Sequence, residues 1–454
     1  MIRNTVYIIT SFLLMASSAV QGQQWVNPHF DAHRLDYRDL GYPNQNLIPA
    51  DNSRITALLT HSNGLIYGAT SGRTQAYLFL YNRYINKVRP LGRIAEEKGV
   101  FHGLVEGKDG RIYIGTGLNQ LAQVKLSQDF PVASEGAELQ LWKDICKPYE
   151  RYPGGHIYEY EPKTGDTRTY RDQDPCPLKD LGVPVPGNSV YAMVLSPDKN
   201  SIYGISYPDA HFFVFDLSTG KTRDLGVFMT QKVYSGPERD WRSVPRALYC
   251  DPRTGDVYTS GDNGFFVRYS PKTGRLDLTY MRLPGEYWEG LSSKDYPVVE
   301  SIEADEHGQV YAASNDGFLV RLDLAHEETT VLGKPRIMRR VRAMKIGPGG
   351  VIYMITGEPE RSCKLHTYST ATGAFSELGP FAVDHSPYYS RRAYQFDAVT
   401  IGVDGTVFCG ESDRGGKLFL YLPGQGVFKG LLNPTNPRTE RMRPDTPALI
   451  PEKL

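Results

Sequence analysis

Seven times along the chain, a short apolar run ends in a tight turn and is followed by a second apolar run centred on an aromatic residue. The turn is short and usually contains glycine, as in Asp109-Gly110 and Asp404-Gly405. Alternating polar and apolar positions around such turns predict β-hairpins. The seven aromatic residues are Tyr67, Tyr113, Tyr203, Tyr258, Tyr311, Tyr353 and Phe408. A recurring four-strand unit that cannot bury its own faces predicts an all-β, seven-bladed β-propeller.

The repeats occupy residues 51–433 of the 454-residue chain, so we predict a single propeller domain. Residues 1–22 combine Arg3 with a short apolar run and small residues, a pattern typical of a signal peptide. The apolar run is too short to span a bilayer. We therefore expect an exported protein, periplasmic or secreted, without a membrane span.

The outermost strand of the last blade has two candidate sources. Tyr37–Gly41 resembles the outer strand Thr222–Gly226, which favours a contribution from the N-terminal segment 23–50 to ring closure. Gly426–Leu431 can supply the same strand. Residues 434–454 form a Pro-rich tail.

Composition excludes some partners. The 51 basic and 51 acidic residues balance, so nothing favours nucleic acid, and we expect a monomer. The five cysteines are scattered and odd in number, which argues against a disulfide framework. Cys363 and His366 have the spacing of a weak metal-ligand pair. Metal ligands are otherwise unknown, no cofactor is required for the chemistry considered below, and a structural calcium or zinc ion stays open.

The long connections fall on one face of the predicted ring. In each blade, with strands a to d in chain order, the bc and da connections emerge on the same face. The long segments are Gly117–Gly155, Phe228–Pro245, Met281–Val299 and Pro380–Phe396. Because a purely structural ring has no reason to place them together, they indicate a binding groove on that face.

The innermost strands begin at this face with polar residues. Counting back eleven or twelve residues from each aromatic of strand b reaches Thr56, His102, Tyr191, Arg246, Glu300, Arg342 and Asp397. His156, Tyr207 and His211 lie where strand b ends and strand c begins, so they reach the same face. Aromatic residues of the long loops, among them Tyr234, Trp241 and Trp288, lie above it.

Simpler interpretations exist for these residues. A histidine at a strand start is more often a hydrogen-bonding ring than a catalyst. Glu300, Asp397 and Arg342 could form a mutually neutralising network. His211 could cap a turn.

The residue types suit β-elimination on a uronic-acid glycan. Arginine, with histidine, would neutralise the uronate carboxylate, and tyrosine or histidine would move protons. Tyrosine starts near a pKa of about 10, so an adjacent arginine such as Arg246 would be needed to favour its anion. The sequence contains no serine nucleophile elbow, His-Glu-x-x-His motif or phosphate loop.

The stretch His102–Thr116, the Gly154-Gly155-His156 segment and the stretch Tyr207–Phe213 resemble the seven-bladed polysaccharide lyases, which include ulvan lyases and rhamnose–glucuronate lyases. The resemblance implies a catalytic set of His102, His156, Tyr191 or Tyr207, and Arg246. It implies substrate-binding roles for His211, Arg342, Tyr234, Trp241 and Trp288. In that family the two histidines lie on adjacent strands and close in sequence, whereas an insertion from Gly117 separates them here. The resemblance implies a carbon–oxygen lyase acting on a glucuronate- and rhamnose-containing polysaccharide.

Two other functions stay open from the residues alone. One is a non-catalytic propeller that binds glycan or protein through the same face. The other is a glycoside hydrolase that uses Glu300 or Asp397, although these lie two blades apart.

Overall fold

The structure is a computed structural model that describes residues 48–49, 52–83, 87–118, 147–168, 174–235, 240–285, 297–335, 340–358, 361–381, 395–412, 416–423 and 427–431. The predicted signal peptide, residues 37–41 and the tail 434–454 lie outside these ranges. Within them the fold is almost entirely β, and no helix is long and apolar enough to cross a membrane.

The strands form four-stranded antiparallel units, which we number as blades. Blade 1 consists of β1 (Arg54–Thr60), β2 (Ile66–Ser71), β3 (Tyr77–Asn82) and β4 (Lys87–Arg93). Blade 2 consists of β5 (Gly99–Glu106), β6 (Ile112–Gly117), β7 (Ile157–Tyr160) and β8 (Leu178–Gly182). Blade 3 consists of β9 (Ser189–Leu195), β10 (Ser201–Tyr207), β11 (His211–Asp216) and β12 (Lys221–Val227). A hairpin of β13 (Lys232–Ser235) and β14 (Asp240–Arg242) follows.

The remaining units complete the series. Blade 4 consists of β15 (Tyr249–Cys250), β16 (Val257–Ser260), β17 (Phe265–Ser270) and β18 (Arg275–Arg282). Blade 5 consists of β19 (Val299–Ala304), β20 (Val310–Ser314), β21 (Leu319–Asp323) and β22 (Glu328–Gly333). Blade 6 consists of β23 (Val341–Gly347), β24 (Val351–Glu358), β25 (Arg361–Ser369) and β26 (Ala374–Pro380). Blade 7 consists of β27 (Phe396–Ile401), β28 (Val407–Glu411), β29 (Leu418–Leu422) and β30 (Val427–Leu431).

The described helical segments are short. One α-helical turn, α1 (Pro162–Gly165), forms the turn between β7 and β8. The described 3-10 turns are Lys108–Gly110, Lys147–Tyr149, Asp262–Gly264 and Pro348–Gly350.

The blades close into a ring. β1 contacts both β5 and β27, β9 contacts β5 and β15, and β23 contacts β19 and β27. Blades 2 and 3 join into one eight-stranded sheet because His102 of β5 pairs in parallel with Ala192 of β9. In blade 7 the strand paired with β29 is β30, the second of the two sources considered for it.

Burial explains the repeated sequence phrase. The second strands β2, β6, β16, β20 and β28 are buried along their whole length, whereas the outermost strands β12 and β22 are largely exposed. The hydrophobic core lies between neighbouring blades: Phe79 and Tyr81 of blade 1 pack with Phe408 and Leu420 of blade 7. Each blade therefore buries its faces against the next, as the repeat predicts.

Candidate functional site

Most of the polar residues at the start of the inner strands lie at a β-bulge. In five blades, the residue reached by counting back from the aromatic is the extra residue of a β-bulge between strands a and b. These residues are Thr56, Tyr191, Glu300, Arg342 and Asp397. His102 lies in a wider irregularity between Val100 and Leu104. A bulge re-aims a side chain out of the alternating pattern of its strand, so these polar groups need not enter the core between blades.

A charged cluster crosses the shaft of the ring. Arg246, just before β15, donates from Nη1 to Glu300 Oε2 at 2.9 Å and from Nη2 to Asp397 Oδ1 at 2.5 Å. Arg342 Nη1 lies 4.0 Å from Asp397 Oδ1. Ser412 also donates to Asp397. Since these residues come from blades 4 to 7, the inner strands converge on one mouth.

Charge pairing keeps both sides of this cluster ionised. Burial alone would raise the pKa of Asp397, but Arg246 and Arg342 beside it hold that pKa well below its usual range. Burial opposes the charge of Arg246, yet Asp397 and Glu300 raise its pKa well above the usual value. The neutralising network weighed for Glu300 and Asp397 is therefore present. Arg246 is already bound to two carboxylates, which argues against the expectation that it binds a uronate carboxylate.

Among the described residues, two side chains at the mouth have buried nitrogen atoms without a hydrogen-bond partner. Arg342 is 4% exposed, and its Nε and Nη2 have no hydrogen-bond acceptor within the described ranges. His102 Nε2 is also buried and unpaired there. Burial, reinforced by Arg246, lowers the pKa of His102 to about 3, so its ring is neutral near pH 7.

One tyrosine adjoins His102, and a second tyrosine packs against the first. The Tyr191 ring lies 6.2 Å from the His102 ring at 82°, and the Tyr207 ring lies 5.5 Å from that of Tyr191. Both tyrosines are buried, and Tyr149 packs edge-on against Tyr207 at 6.1 Å. Burial raises the pKa of Tyr191 far above its usual value, and the opposing effect of Arg246 is smaller. The expected stabilisation of a tyrosinate by Arg246 is therefore not met.

His156 stands apart from His102. It precedes β7, and β6 lies between β5 and β7, so the two histidines are on alternate strands rather than on adjacent ones as in the resembling family. Its Nδ1 lies 2.9 Å from Asp180 Oδ1, and its ring stacks on Tyr158 at 5.4 Å and 13°. Strand b therefore separates the two histidines of the implied catalytic set.

His211 begins β11 in blade 3 and, like His156, has an aspartate carboxylate beside its Nδ1. Its Nδ1 lies 2.8 Å from Asp224 Oδ2 of β12. A neighbouring carboxylate favours a proton on Nδ1, which donates to Asp224. His211 thus has a carboxylate partner of its own, beyond the turn-capping role considered for it.

Glu97 is a candidate that the sequence did not single out. It lies between β4 and β5, is 6% exposed, and its Oε2 accepts a hydrogen bond from the Tyr152 hydroxyl at 2.9 Å. Burial raises the pKa of Glu97, although Tyr152 and nearby His156 oppose this. In the sequence it stands in Glu96-Glu97-Lys98, which is typical of a solvated loop.

The remaining predicted residues are less informative. Tyr234 of β13 is paired with Trp241 of β14 in the hairpin after blade 3, on a da connection as expected. Trp288 lies outside the described residues. Cys363 and His366 lie on the single strand β25, where residues three apart point to opposite faces, so they do not form a ligand pair. In the part of the chain that the structure describes, no group of three His, Cys, Asp or Glu residues could hold a metal ion.

A cavity of about 610 Å³ lies on the opposite face, among the turns of blades 1 to 3. His61 Nε2 there bonds to the Gly110 carbonyl at 2.8 Å, and Asp166 accepts a hydrogen bond from the Tyr160 hydroxyl at 2.6 Å. At the shaft mouth, in contrast, buried nitrogen atoms of His102 and Arg342 have no hydrogen-bond partner among the described residues, which makes it the better candidate site.

Comparison with known proteins supports the architecture. No protein-family model and no curated protein matches the sequence. The chain is similar to a solved streptogramin B lyase, at 12% identity and a TM-score of 0.54, over 80% of this chain and 92% of that one. It is also similar to a catalytically inactive virginiamycin B lyase from Staphylococcus aureus with quinupristin, at 13% identity and a TM-score of 0.52, over 81% and 94% of the two chains. The fold is a β-propeller. At these identities the likeness shows the fold alone.

Proposed function

We propose that this protein is an exported lyase that cleaves a glucuronate- and rhamnose-containing glycan by β-elimination at the shaft mouth. The observation that carries the proposal is the unpaired, buried Nε2 of a neutral His102 beside Tyr191, in a shaft that also holds the unpaired nitrogens of Arg342. A buried donor or acceptor without a partner costs free energy, about 1–3 kcal/mol, unless water or a ligand satisfies it.

These groups can supply the carboxylate partner, the base and the acid that elimination needs. Arg342 would bind the uronate carboxylate and stabilise the charge that develops when C5 loses its proton. His102 Nε2 would take that proton, and the C5–H electron pair would form the C4–C5 double bond as the C4–O4 bond breaks. Tyr191 would protonate the departing O4, a role that its raised pKa suits because it keeps its proton until the transition state.

The assignment differs from the expectation from sequence in its carboxylate partner and in leaving out His156, and it selects one of the proton-transfer roles that the sequence left open. Arg342 replaces Arg246 as the carboxylate partner because Arg246 is held by Glu300 and Asp397. Of the two roles left open for tyrosine, Tyr191 takes that of the acid because burial disfavours its anion. His156 lies two strands from His102 in blade 2, and the proposed proton transfers do not use it.

The shaft carboxylates argue against a hydrolase. A glycosidase acid needs a raised pKa, whereas the arginines depress the pKa of Asp397. Proteins named streptogramin B lyase and virginiamycin B lyase have the same fold, so this architecture is compatible with lyase chemistry. Those names refer to antibiotics, so the glycan substrate rests on the residues of this chain and on the resemblance of its motifs.

The test is the appearance of an unsaturated uronate, which absorbs in the ultraviolet, on incubation with ulvan, gum arabic and other uronate glycans. We expect product with the wild type and a loss of about 100-fold or more in His102→Ala. His326→Ala is the matched control, since the His326 side chain is 75% exposed to solvent and lies on blade 5. Binding of these glycans without product would instead support the non-catalytic glycan-binding alternative.

A further inference from the structure

A second group of side chains lies on blade 2, outside the shaft cluster. The Tyr152 hydroxyl donates to buried Glu97, and the His156 ring bonds through Nδ1 to Asp180. Tyr152 and His156 are partly exposed, while each is held by a carboxylate. These four residues are called the rim group below.

The rings of the rim group are held by more contacts than solvent-exposed side chains at the edge of a sheet usually make. The His156 ring is fixed twice, by Asp180 and by stacking on Tyr158. Tyr152 is fixed by Glu97 and by edge-on packing with Tyr149 at 5.8 Å. Burying a carboxylate such as Glu97 is costly. Support of this kind is typical of rings that are preorganised to meet a ligand.

Charge restricts what that ligand can be. Glu97 and Asp180 are the groups bonded to the two partly exposed rings, so an acidic sugar on those rings would lie close to two carboxylates. At separations of about 7 Å and an intermediate dielectric, one like-charge pair costs about 1 kcal/mol, or about fivefold in affinity. A neutral sugar escapes this repulsion while it still gains contact with the phenol and imidazole rings.

We propose that Tyr152 and His156 form an outer subsite for a neutral sugar, with Glu97 and Asp180 as its positioning and charge-selecting residues. The proposal rests on the proposed function, because the acidic sugar is assigned to Arg342 at the shaft. His102 on the first strand and His156 at the third are two strand spacings apart, about 10 Å. The spacing suits neighbouring sugars, so the substrate would alternate acidic and neutral residues.

The selectivity should depend on pH. The titratable groups around Glu97 are Tyr152 from the segment before β7, His156 and Tyr158 from blade 2, Asp180 from β8, and Glu96 and Lys98 on its own loop. Glu97 is neutral below its raised pKa and charged above it. The preference for a neutral sugar therefore grows as pH rises through that pKa and weakens below it.

The experiment measures binding in the His102→Ala background, so that no turnover occurs. Isothermal titration at about pH 8 and low ionic strength compares an all-glucuronate tetrasaccharide with one that alternates glucuronate and rhamnose. We expect the alternating probe to bind about five- to 25-fold more tightly, depending on whether one or both carboxylates act. In the added variant Glu97→Gln with Asp180→Asn, this ratio should fall below about twofold. Asp323→Asn is the matched control, since it removes the Oδ2 partner of His326 Nδ1, at 2.9 Å, far from blade 2.

Equal binding of the two probes, or the same fall of the ratio in Asp323→Asn, would overturn the subsite. An unchanged affinity ratio of the two probes in the Glu97→Gln, Asp180→Asn variant would overturn the subsite as well. Failure of the proposed function looks different: no glycan would yield an unsaturated product with the wild type, whatever the binding ratio. Lyase activity combined with an unselective rim would reject the subsite alone.

Discussion

Removal of the Asp397 charge should lower the stability of the folded protein, because it unbalances the charges of the shaft cluster. In Asp397→Asn, Arg246 and Arg342 keep their charges, while Glu300 is the sole carboxylate left to balance them in the network described above. Breaking a buried ion pair by removing one partner costs about 3–5 kcal/mol. An unfolding entropy of about 2 cal/mol/K per residue gives about 1 kcal/mol/K for the 454-residue chain, so we expect Tm to fall by about 3–5 °C.

The assay is thermal unfolding followed by tryptophan fluorescence across a pH series. The folded pKa of Asp397 lies below its unfolded value of about 3.9. Its contribution to stability is therefore complete above about pH 5 and is lost as pH falls through the folded pKa. The Tm difference between wild type and Asp397→Asn should be constant near neutrality and shrink in acid.

A second substitution tests the cause of this loss. In the Asp397→Asn background, Arg342→Met removes the excess positive charge and should recover part of the lost Tm. Asp323→Asn, on an exposed turn, should leave Tm unchanged. Two results would contradict this expectation. Asp397→Asn could unfold at the wild-type temperature, or Arg342→Met could lower Tm as much in the Asp397→Asn background as it does in the wild type.

Three further results are expected. The acidic limb of kcat/KM should show no midpoint near the usual histidine pKa of about 6.5, because burial lowers the pKa of His102 to about 3; a midpoint between about pH 6 and 7 would contradict this. Arg342→Gln should lower kcat/KM on a uronate glycan by about 100-fold or more, measured by initial rates, and an unchanged value would remove Arg342 from the site. Tyr191→Phe should lower kcat by about 100-fold while Tyr207→Phe, one ring further from His102, loses less than about tenfold; the reverse order would reassign the acid.

The repeat and the phase of the blades could be predicted from sequence because they rest on local periodicity. Every aromatic residue used to align the repeats lies on the second strand of its blade. Counting back from them reached residues that do meet at the shaft, such as Arg246 and Asp397. The β-bulges that re-aim these side chains have no local signature, since a bulge is a property of strand register.

Long-range pairing could not be predicted. Arg246 and Asp397 are far apart in the chain, so whether Arg246 meets carboxylates or a ligand depends on the closed ring. Glu97 is buried because Tyr152 returns to it after the long insertion of blade 2. The strand pattern places His156 at the entry to strand c, directly before β7, and the strand order β5-β6-β7 sets it two strands from His102.

The shaft mouth is proposed to break a C–O bond by elimination, without adding water. The most direct measurement is the product mass after digestion of a uronate glycan in water enriched in the heavy oxygen isotope. We expect fragments that carry a C4–C5 double bond and no heavy oxygen, and we expect no such fragments with His102→Ala. Saturated fragments that contain the heavy isotope would show hydrolysis and contradict it.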